Sequence, residues 1–353
     1  MTDLNILVRS PNWIGDQILS YLFFYYLRKG FPKAHIAAVC IPWVQDLQFQ
    51  NLVDEVHVLP RAQEASLLDR LRVLETSAAG IRKSREWDLG FSLPNSISSA
   101  CLLYRSGVRT RIGYSGDGRG WLLNSRVKLT PSSTKHRTQD YVNLLPREVQ
   151  PTWGGEGFLV AANQELQYFN PATAWPNSKP LTPPTEPYWV IAPGSAAESR
   201  RWPVENFVAL ARNIAEATGW IGIVVGGKEE AQTATQLCED RILNLEDWTS
   251  RGTVSSLAQL FRDARLTVSN DSGLAHVAAL CGSTVYVVWG GGNPERTRPL
   301  GPGRVQIIHN PVDCWPCERN ICRQPPAMHL KCLKGIFADR VWNQMHLQEA
   351  QKA

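Results

Sequence analysis

Apolar residues in the first part of the chain come in short runs separated by polar or amphipathic stretches. "LNILVRS" reads as a first buried strand, "PNWIGD" as the loop after it and "QILSYLFFYYLRKG" as a helix. "AHIAAVCI", "VDEVHVLP" and "WDLGFSL" read as three further strands, with helical stretches in two of the intervals. Strand, crossover and strand in this order predict a parallel sheet covered on both faces. The pattern then breaks at "NPATAWPNSKPLTPPTEP", which holds six prolines and little apolar periodicity, as a domain linker does.

A second alternation follows. Strands "YWVIAPG", "WIGIVVGG", "RILNLED", "RLTVSND" and "STVYVVWG" are separated by the helical segments "PVENFVALARNIAEATG", "EEAQTATQLCED", "VSSLAQLFRDA" and "GLAHVAALCG". The expected fold is therefore α/β, with two Rossmann-like domains facing each other across a cleft. The expected boundaries are 1–170 for the first domain, 171–187 for the linker, 188–335 for the second domain and 336–353 for a terminal helix. In open parallel sheets ligands sit at the carboxyl ends of the strands, which is where the candidate residues are sought.

Composition narrows the classes. With 353 residues, 43% hydrophobic and 20% charged, the chain has the makeup of an ordinary soluble globular protein with room for two cores. No window reaches eighteen uncharged apolar residues, and "MTDLNILVRSPNW" lacks the basic and apolar regions of an export signal, so a cytoplasmic location is expected. The net charge of +5 favours anionic partners. The basic residues are dispersed and no nucleic-acid motif is present, so no nucleic-acid partner is expected; a phosphorylated small molecule or anionic lipid headgroup fits as well.

Four loops, "SPNWIGD", "APGSAAESRRWP", "VVGGKEE" and "SNDSGLAH", fall at carboxyl ends of expected strands. None is GxGxxG with a ribose acid about twenty residues on, and none is GxxxxGK[ST], which disfavours NAD enzymes and P-loop ATPases. In "NDSGLAH", Ser272 and Gly273 open a helix whose unpaired N–H groups suit a phosphate; the alternative is that Asp271 or Ser272 is simply an N-cap. His276 lies about one turn further on, facing the same ligand or packed in the core. Arg200 and Arg201 can clamp a diphosphate from the loop before Trp202-Pro203, or be solvated surface. Asp16, after Gly15, is either a helix N-cap or a general base toward a hydroxyl.

Taken together, "ILVRSPNWIGD", "FSLPNSISSACLLYRSGVRTRIGYSG", "APGSAAESRRWP", "GGKEE" and "VSNDSGLAHVAAL" resemble the ADP-heptose:lipopolysaccharide heptosyltransferases, glycosyltransferase family 9, particularly the heptosyltransferase II branch. The resemblance covers nearly the whole chain. It implies a GT-B fold with an N-terminal acceptor domain and a C-terminal ADP-sugar domain. It further implies an inverting transfer of heptose from ADP-L-glycero-β-D-manno-heptose to the first heptose of the lipopolysaccharide inner core, with no cofactor required. By this resemblance Asp16 is the general base and Arg200 stabilises the leaving group. Ser195, Arg200, Arg201, Asp271, Ser272, Gly273 and His276 line the donor pocket, and Glu229 or Glu230 meets the ribose. Asn12, Trp13, Asn95, Arg109, Arg111 and His136 belong to the acceptor side, His136 having a surface position in "STKHRTQ" as its alternative. The acceptor is an anionic glycolipid, so peripheral contact with the cytoplasmic face of the inner membrane is implied.

Two features depart from the family pattern: Arg200 stands where lysine is usual, and "SYLFFYY" is unusually aromatic for the helix after the acid. Its consecutive aromatics point around the helix, so most are expected in the core. A related transferase with another sugar or acceptor, and a non-catalytic nucleotide-sugar-binding protein, are the other readings. Cys314, Cys317, Cys322 and Cys332 form a cluster whose readings are a structural Zn or Fe–S site, free thiols, or labile disulfides. Cys40, Cys101, Cys238 and Cys281 lie in apolar or helical contexts and are expected as small buried hydrophobes.

Overall fold

The computed structural model describes residues 4–60, 66–130, 132–153, 157–239 and 241–345. Its first sheet contains β1 (Asn5–Arg9), β2 (His35–Cys40), β3 (Glu55–Val58), β4 (Leu89–Ser92), β5 (Thr110–Ser115) and β6 (Ser125–Lys128). They pair in parallel in the order β3-β2-β1-β4-β5-β6, with Asn5 opposite His35 where β1 meets β2. The second sheet contains β7 (Tyr188–Ala192), β8 (Ile221–Val224), β9 (Leu245–Asp247), β10 (Thr267–Asn270), β11 (Val285–Trp289) and β12 (Val305–His309). Its order, β12-β11-β10-β7-β8-β9, is also parallel throughout and repeats the first topology. In each sheet the strand order reverses beside the first strand, between β1 and β4 and between β7 and β10. Those two points are where a doubly wound sheet opens a crevice.

Burial explains why the central strands were legible. Ile6, Leu7 and Val8 of β1 and all five residues of β7 are buried, as strands covered on both faces must be. The strands that the sequence pattern does not reveal are β5, β6 and β12. Two lie at sheet edges: β6, "SRVK", alternates half-buried and exposed residues, and β12 is mostly half-buried, so neither shows a continuous apolar run. β5, "TRIGYS", opens with polar residues and has a glycine at its middle.

Helix boundaries moved where backbone hydrogen bonding overrode pattern. The expected helix after "PNWIGD" starts earlier, at Ile14, and is two helices, Ile14–Leu19 and Tyr21–Gly30, meeting at Ser20, whose Oγ donates to Gln17 O at 2.6 Å. Tyr21, Phe23, Phe24 and Tyr26 are buried, so the aromatic run is core, as expected.

The chain divides into two compact units, residues 1–158 with 172–177, and residues 159–171 with 178–353. Helix Phe158–Leu166, which falls inside the 1–170 stretch, groups from Leu159 onward with the second unit, where Gly301 N donates to Asn163 Oδ1 at 3.1 Å. Within the proline-rich stretch, Ala174 and Trp175 are buried, and Gln50 N donates to Ala174 O at 2.9 Å. The first unit packs Leu7, Val39, Trp87 and Leu103 beneath its sheet. The second packs Trp189, Phe207, Val268 and Val288 together with Ala338, Val341 and Met345, so the terminal helix Ala338–Met345 belongs to that core. The rest of that expected helix, 346–353, lies outside the described residues. Among the described residues no helix is long and apolar enough to cross a membrane.

Candidate active site

At the first sheet's reversal point β1 leads into helix Ile14–Leu19, whose N-cap is Trp13 and has no side-chain capping bond. Asp16 therefore sits in the first turn and is not the cap. Tyr141 Oη donates to Asp16 Oδ1 at 3.2 Å. Burial first, then the negative charge of Asp16, pushes the Tyr141 phenol well above its ordinary value, so it remains an O–H donor. Half-buried Arg137 lies one helical turn before Tyr141; burial opposes its charge, but Tyr141, Asp16 and Asp140 outweigh that and raise it. Thr138 Oγ1 donates to Leu19 O at 2.9 Å, fastening this helix to the one bearing Asp16.

His136 does not have the surface position of its alternative reading. It is buried and caps helix Arg137–Val142, its Nδ1 accepting from Thr138 N at 3.3 Å while Gln139 Oε1 accepts from His136 N at 3.0 Å. It positions the helix that carries Tyr141. Asn12 accepts from buried Arg9 through Oδ1 and from Trp43 Nε1 through its carbonyl at 2.7 Å. Trp13 is 64% exposed. Exposed Asn95 follows β4, at the same carboxyl edge as Asp16. Arg109 and Arg111 do not join them. They stand at the amino end of β5, where Arg109 meets Glu86 (3.0 Å) and Asp88 (3.3 Å) and Arg111 donates to Leu122 O and Val108 O (both 2.7 Å). In a parallel sheet that is the edge opposite Asp16.

The second sheet builds a different constellation at its own reversal point. Asn270 ends β10 and ties the loop after β7 to it: Asn270 Nδ2 donates to Pro193 O, and Asn270 Oδ1 accepts from Trp202 N at 3.1 Å. Ser195 Oγ adds a bond to Asp271 O at 3.1 Å. Ser272 is the N-cap of helix Gly273–Leu280 by position, but its side chain makes no capping bond; its Oγ lies 3.2 Å from Ser269 Oγ. The helix start, with its partial positive charge, is thus left without a side-chain cap, as an anion site requires. His276 is buried on the same helix.

Asp271 is 3% exposed, and Arg200 Nε lies 3.3 Å from its Oδ2. Burial pushes the Asp271 carboxyl up to about 6, while Arg200 pulls it down. A Cβ at Gly292 would stand 2.5 Å from Asp271 Oδ2, so only glycine admits the carboxylate there. Arg201 is exposed, and its Nε donates to Ser195 O at 2.7 Å.

The two ribose candidates differ in placement. Glu230 Oε2 accepts from Gly227 N at 2.8 Å, and a Cβ at Gly194 would stand 2.5 Å from Glu230 Oε1, so this carboxylate lies against the loop after β7. Glu229 is exposed. Sequence reasoning missed Tyr141, Arg137 and Asn270. The spacing of Arg137 and Tyr141, four apart on one helix, was the available signal for the first two; nothing local marks Asn270.

Cys314, Cys317, Cys322 and Cys332 line one pocket as free thiols. A thiolate site needs each sulfur about 2.3 Å from one point. Among the described residues no three His, Cys, Asp or Glu groups converge to hold a metal ion. The thiols surround a cavity instead, so the Zn or Fe–S expectation does not fit this arrangement. Of the remaining thiols, Cys40 and Cys281 are buried, Cys101 and Cys238 partly so.

Known proteins give this geometry a context. The lipooligosaccharide heptosyltransferase 2 of Haemophilus ducreyi is 26% identical over 322 residues, covering 86% of this chain and 88% of that protein. The lipopolysaccharide heptosyltransferase 2 of Escherichia coli is 22% identical over 311 residues, covering 84% and 86%. Among solved structures, E. coli ADP-heptose lipopolysaccharide heptosyltransferase II aligns with a TM-score of 0.73 at 19% identity over 99% of this chain and 100% of that one. A glycosyltransferase family 9 protein from Veillonella parvula gives 0.75 at 21% over 98% and 97%. These two share the fold, GT-B, in agreement with the expectation from sequence. The model of glycosyltransferase family 9 (heptosyltransferase) matches residues 81–328, well over half of the sequence. The chain belongs to that family and is a glycosyltransferase.

Proposed function

We propose that this transferase moves heptose from ADP-L-glycero-β-D-manno-heptose to the first heptose of the lipopolysaccharide inner core, inverting the anomeric centre. The observation that carries the reading is Asp16, offered at the carboxyl edge of the first sheet with one oxygen held by a protonated Tyr141. Asp16 takes the proton of the acceptor hydroxyl. The acceptor oxygen forms a bond to the anomeric carbon as the bond from that carbon to the phosphate oxygen breaks, and ADP leaves with that electron pair. The uncapped start of helix Gly273–Leu280 and the Arg200 guanidinium receive the diphosphate and stabilise the charge it gains. Glu230 meets the ribose hydroxyls and Glu229 does not, because Glu230 is the one drawn against the loop after β7.

Asn12, Trp13 and Asn95, at the same carboxyl edge as Asp16, serve the acceptor, whereas Arg109 and Arg111 are left out of that set. The names of the relatives support heptose as the sugar and lipopolysaccharide or lipooligosaccharide as the product. An acceptor of that kind brings the chain to the cytoplasmic face of the inner membrane as a peripheral protein.

The test is ADP release from ADP-heptose with and without an inner-core acceptor carrying one heptose, for the wild type and Asp16→Asn. Acceptor-dependent release lost in the variant, with a product heavier by one heptose, is the expected result. Tight ADP-heptose binding without turnover on any core acceptor would overturn the assignment of substrate.

A further inference from the structure

Arg200 ends a three-residue 3-10 turn, Glu198–Arg200, which is too short to hold its own position. Contacts from two other segments hold it. Ser199 N donates to Asn320 O at 3.1 Å and Ser199 Oγ donates to Arg319 O. Ser199 O accepts from Gly291 N at 2.9 Å, and Gly291 O in turn accepts from Glu318 N at 2.7 Å. A Cβ at Gly290 would stand 2.0 Å from Ser199 O, so the loop after β11 presses directly on the turn.

Glu198 closes this bracket with its side chain. Its Oε2 accepts from Cys322 N at 3.2 Å, and its Oε1 lies 3.4 Å from His329 Nε2. Both partners belong to the cysteine-rich segment, whose four thiols otherwise surround a cavity. Among the described residues the Arg200 side chain has little else to fix it: Nε lies 3.3 Å from Asp271 Oδ2 but is not aligned for a hydrogen bond. Where its guanidinium stands is therefore set by its backbone, and its backbone by the turn.

We propose that Glu198 is a positioning residue for the transfer reaction: by fastening the cysteine-rich segment to the Glu198–Arg200 turn, it sets where Arg200 meets the donor's diphosphate. The inference rests on the reading of Arg200 as a diphosphate ligand. It gives the cysteine-rich segment a task that needs no metal, since the Glu198 carboxylate holds that segment through the backbone N–H of Cys322 and the side chain of His329.

ADP binding to the full chain, followed by calorimetry, tests it together with donor kcat and KM. Glu198→Ala is expected to weaken ADP about tenfold, the loss of a charge-assisted hydrogen bond. Glu198→Gln, whose amide oxygen still accepts from Cys322 N, is expected to recover most of that affinity. In an Arg200→Ala background Glu198→Ala is expected to cost nothing further, because the residue acts only through the arginine. Wild-type affinity in Glu198→Ala, no recovery in Glu198→Gln, or losses that add to that of Arg200→Ala would each overturn the inference. If Glu198→Ala does not fold, His329→Ala removes the longer contact alone. It should cost about threefold, again only when Arg200 is present, and an additive loss or none overturns the inference. Arg200→Ala by itself guards the underlying reading: if it binds ADP as the wild type does, Arg200 is not a diphosphate ligand and both fall.

Discussion

The two sheets share one strand order and each places an aspartate beside its reversal point, after the first strand in one and after the fourth in the other, yet they treat it in opposite ways. In the first unit Asp16 is half-buried and receives a hydrogen bond from a neutral phenol, with the Arg137 cation close by. In the second, Asp271 is almost wholly buried, receives no hydrogen bond at Oδ2 among the described residues and is balanced by Arg200. The first environment leaves the carboxylate half-buried, with one oxygen held by Tyr141. The second makes ionisation costly, so that charge is held in tension beside an uncapped helix start. One fold thus gives two aspartates different surroundings, and the difference lies in burial and in the first neighbour.

Exchanging the roles should break the comparison most visibly at Asp16. Asp16→Asn is expected to lower kcat about 10³-fold with ADP affinity unchanged, since general-base catalysis contributes on that scale. Calorimetry with ADP beside a turnover assay checks both halves. Asp271→Asn should behave otherwise, and its signature is in stability. The folded carboxyl is raised from 3.8 to about 6, so the folded state binds a proton more tightly than the unfolded chain. The stability this adds is complete below pH 3.8 and is lost as pH rises to about 6. Across that window the wild type should lose about 3 kcal/mol relative to Asp271→Asn, because each tenfold gain in proton affinity is worth about 1.4 kcal/mol. Denaturant titrations at several pH values would show it, and parallel curves for the two proteins would contradict the buried-acid description.

Smaller effects sharpen the same contrast. Tyr141→Phe removes the phenol that donates to Asp16 and should lower kcat about fivefold to tenfold with little change in donor KM, the value of one hydrogen bond. An equal rise in donor KM would mean that Tyr141 matters to the second unit as well. Glu230→Ala should weaken ADP about tenfold and Glu229→Ala less than about twofold, because only the first is drawn against the glycine loops. Reversal of that order would exchange their roles.

The sequence alone determined the α/β class, the two successive strand-and-helix alternations and the loops that hold Asp16, Arg200, Asp271 and Ser272. These are legible because strands buried on both faces must be continuously apolar, and because small and polar residues must interrupt the chain where strands end. The aromatic run Tyr21–Tyr26 was legible as core for the same reason: consecutive residues point all round a helix, and only a covered helix tolerates that.

Only the tertiary structure decided which neighbours each of these residues has. That Tyr141 reaches Asp16, that Glu230 rather than Glu229 lies against Gly194, and that Arg109 and Arg111 stand at the far edge of their sheet all depend on pairing between segments distant in the chain. So does the bracket that Glu198 makes with Cys322 and His329. Local pattern reports burial and turn chemistry, which each residue carries with it. Hydrogen-bond partners and shifted acidities belong to pairs, and a pair 125 residues apart, as Asp16 and Tyr141 are, exists only once the chain has folded.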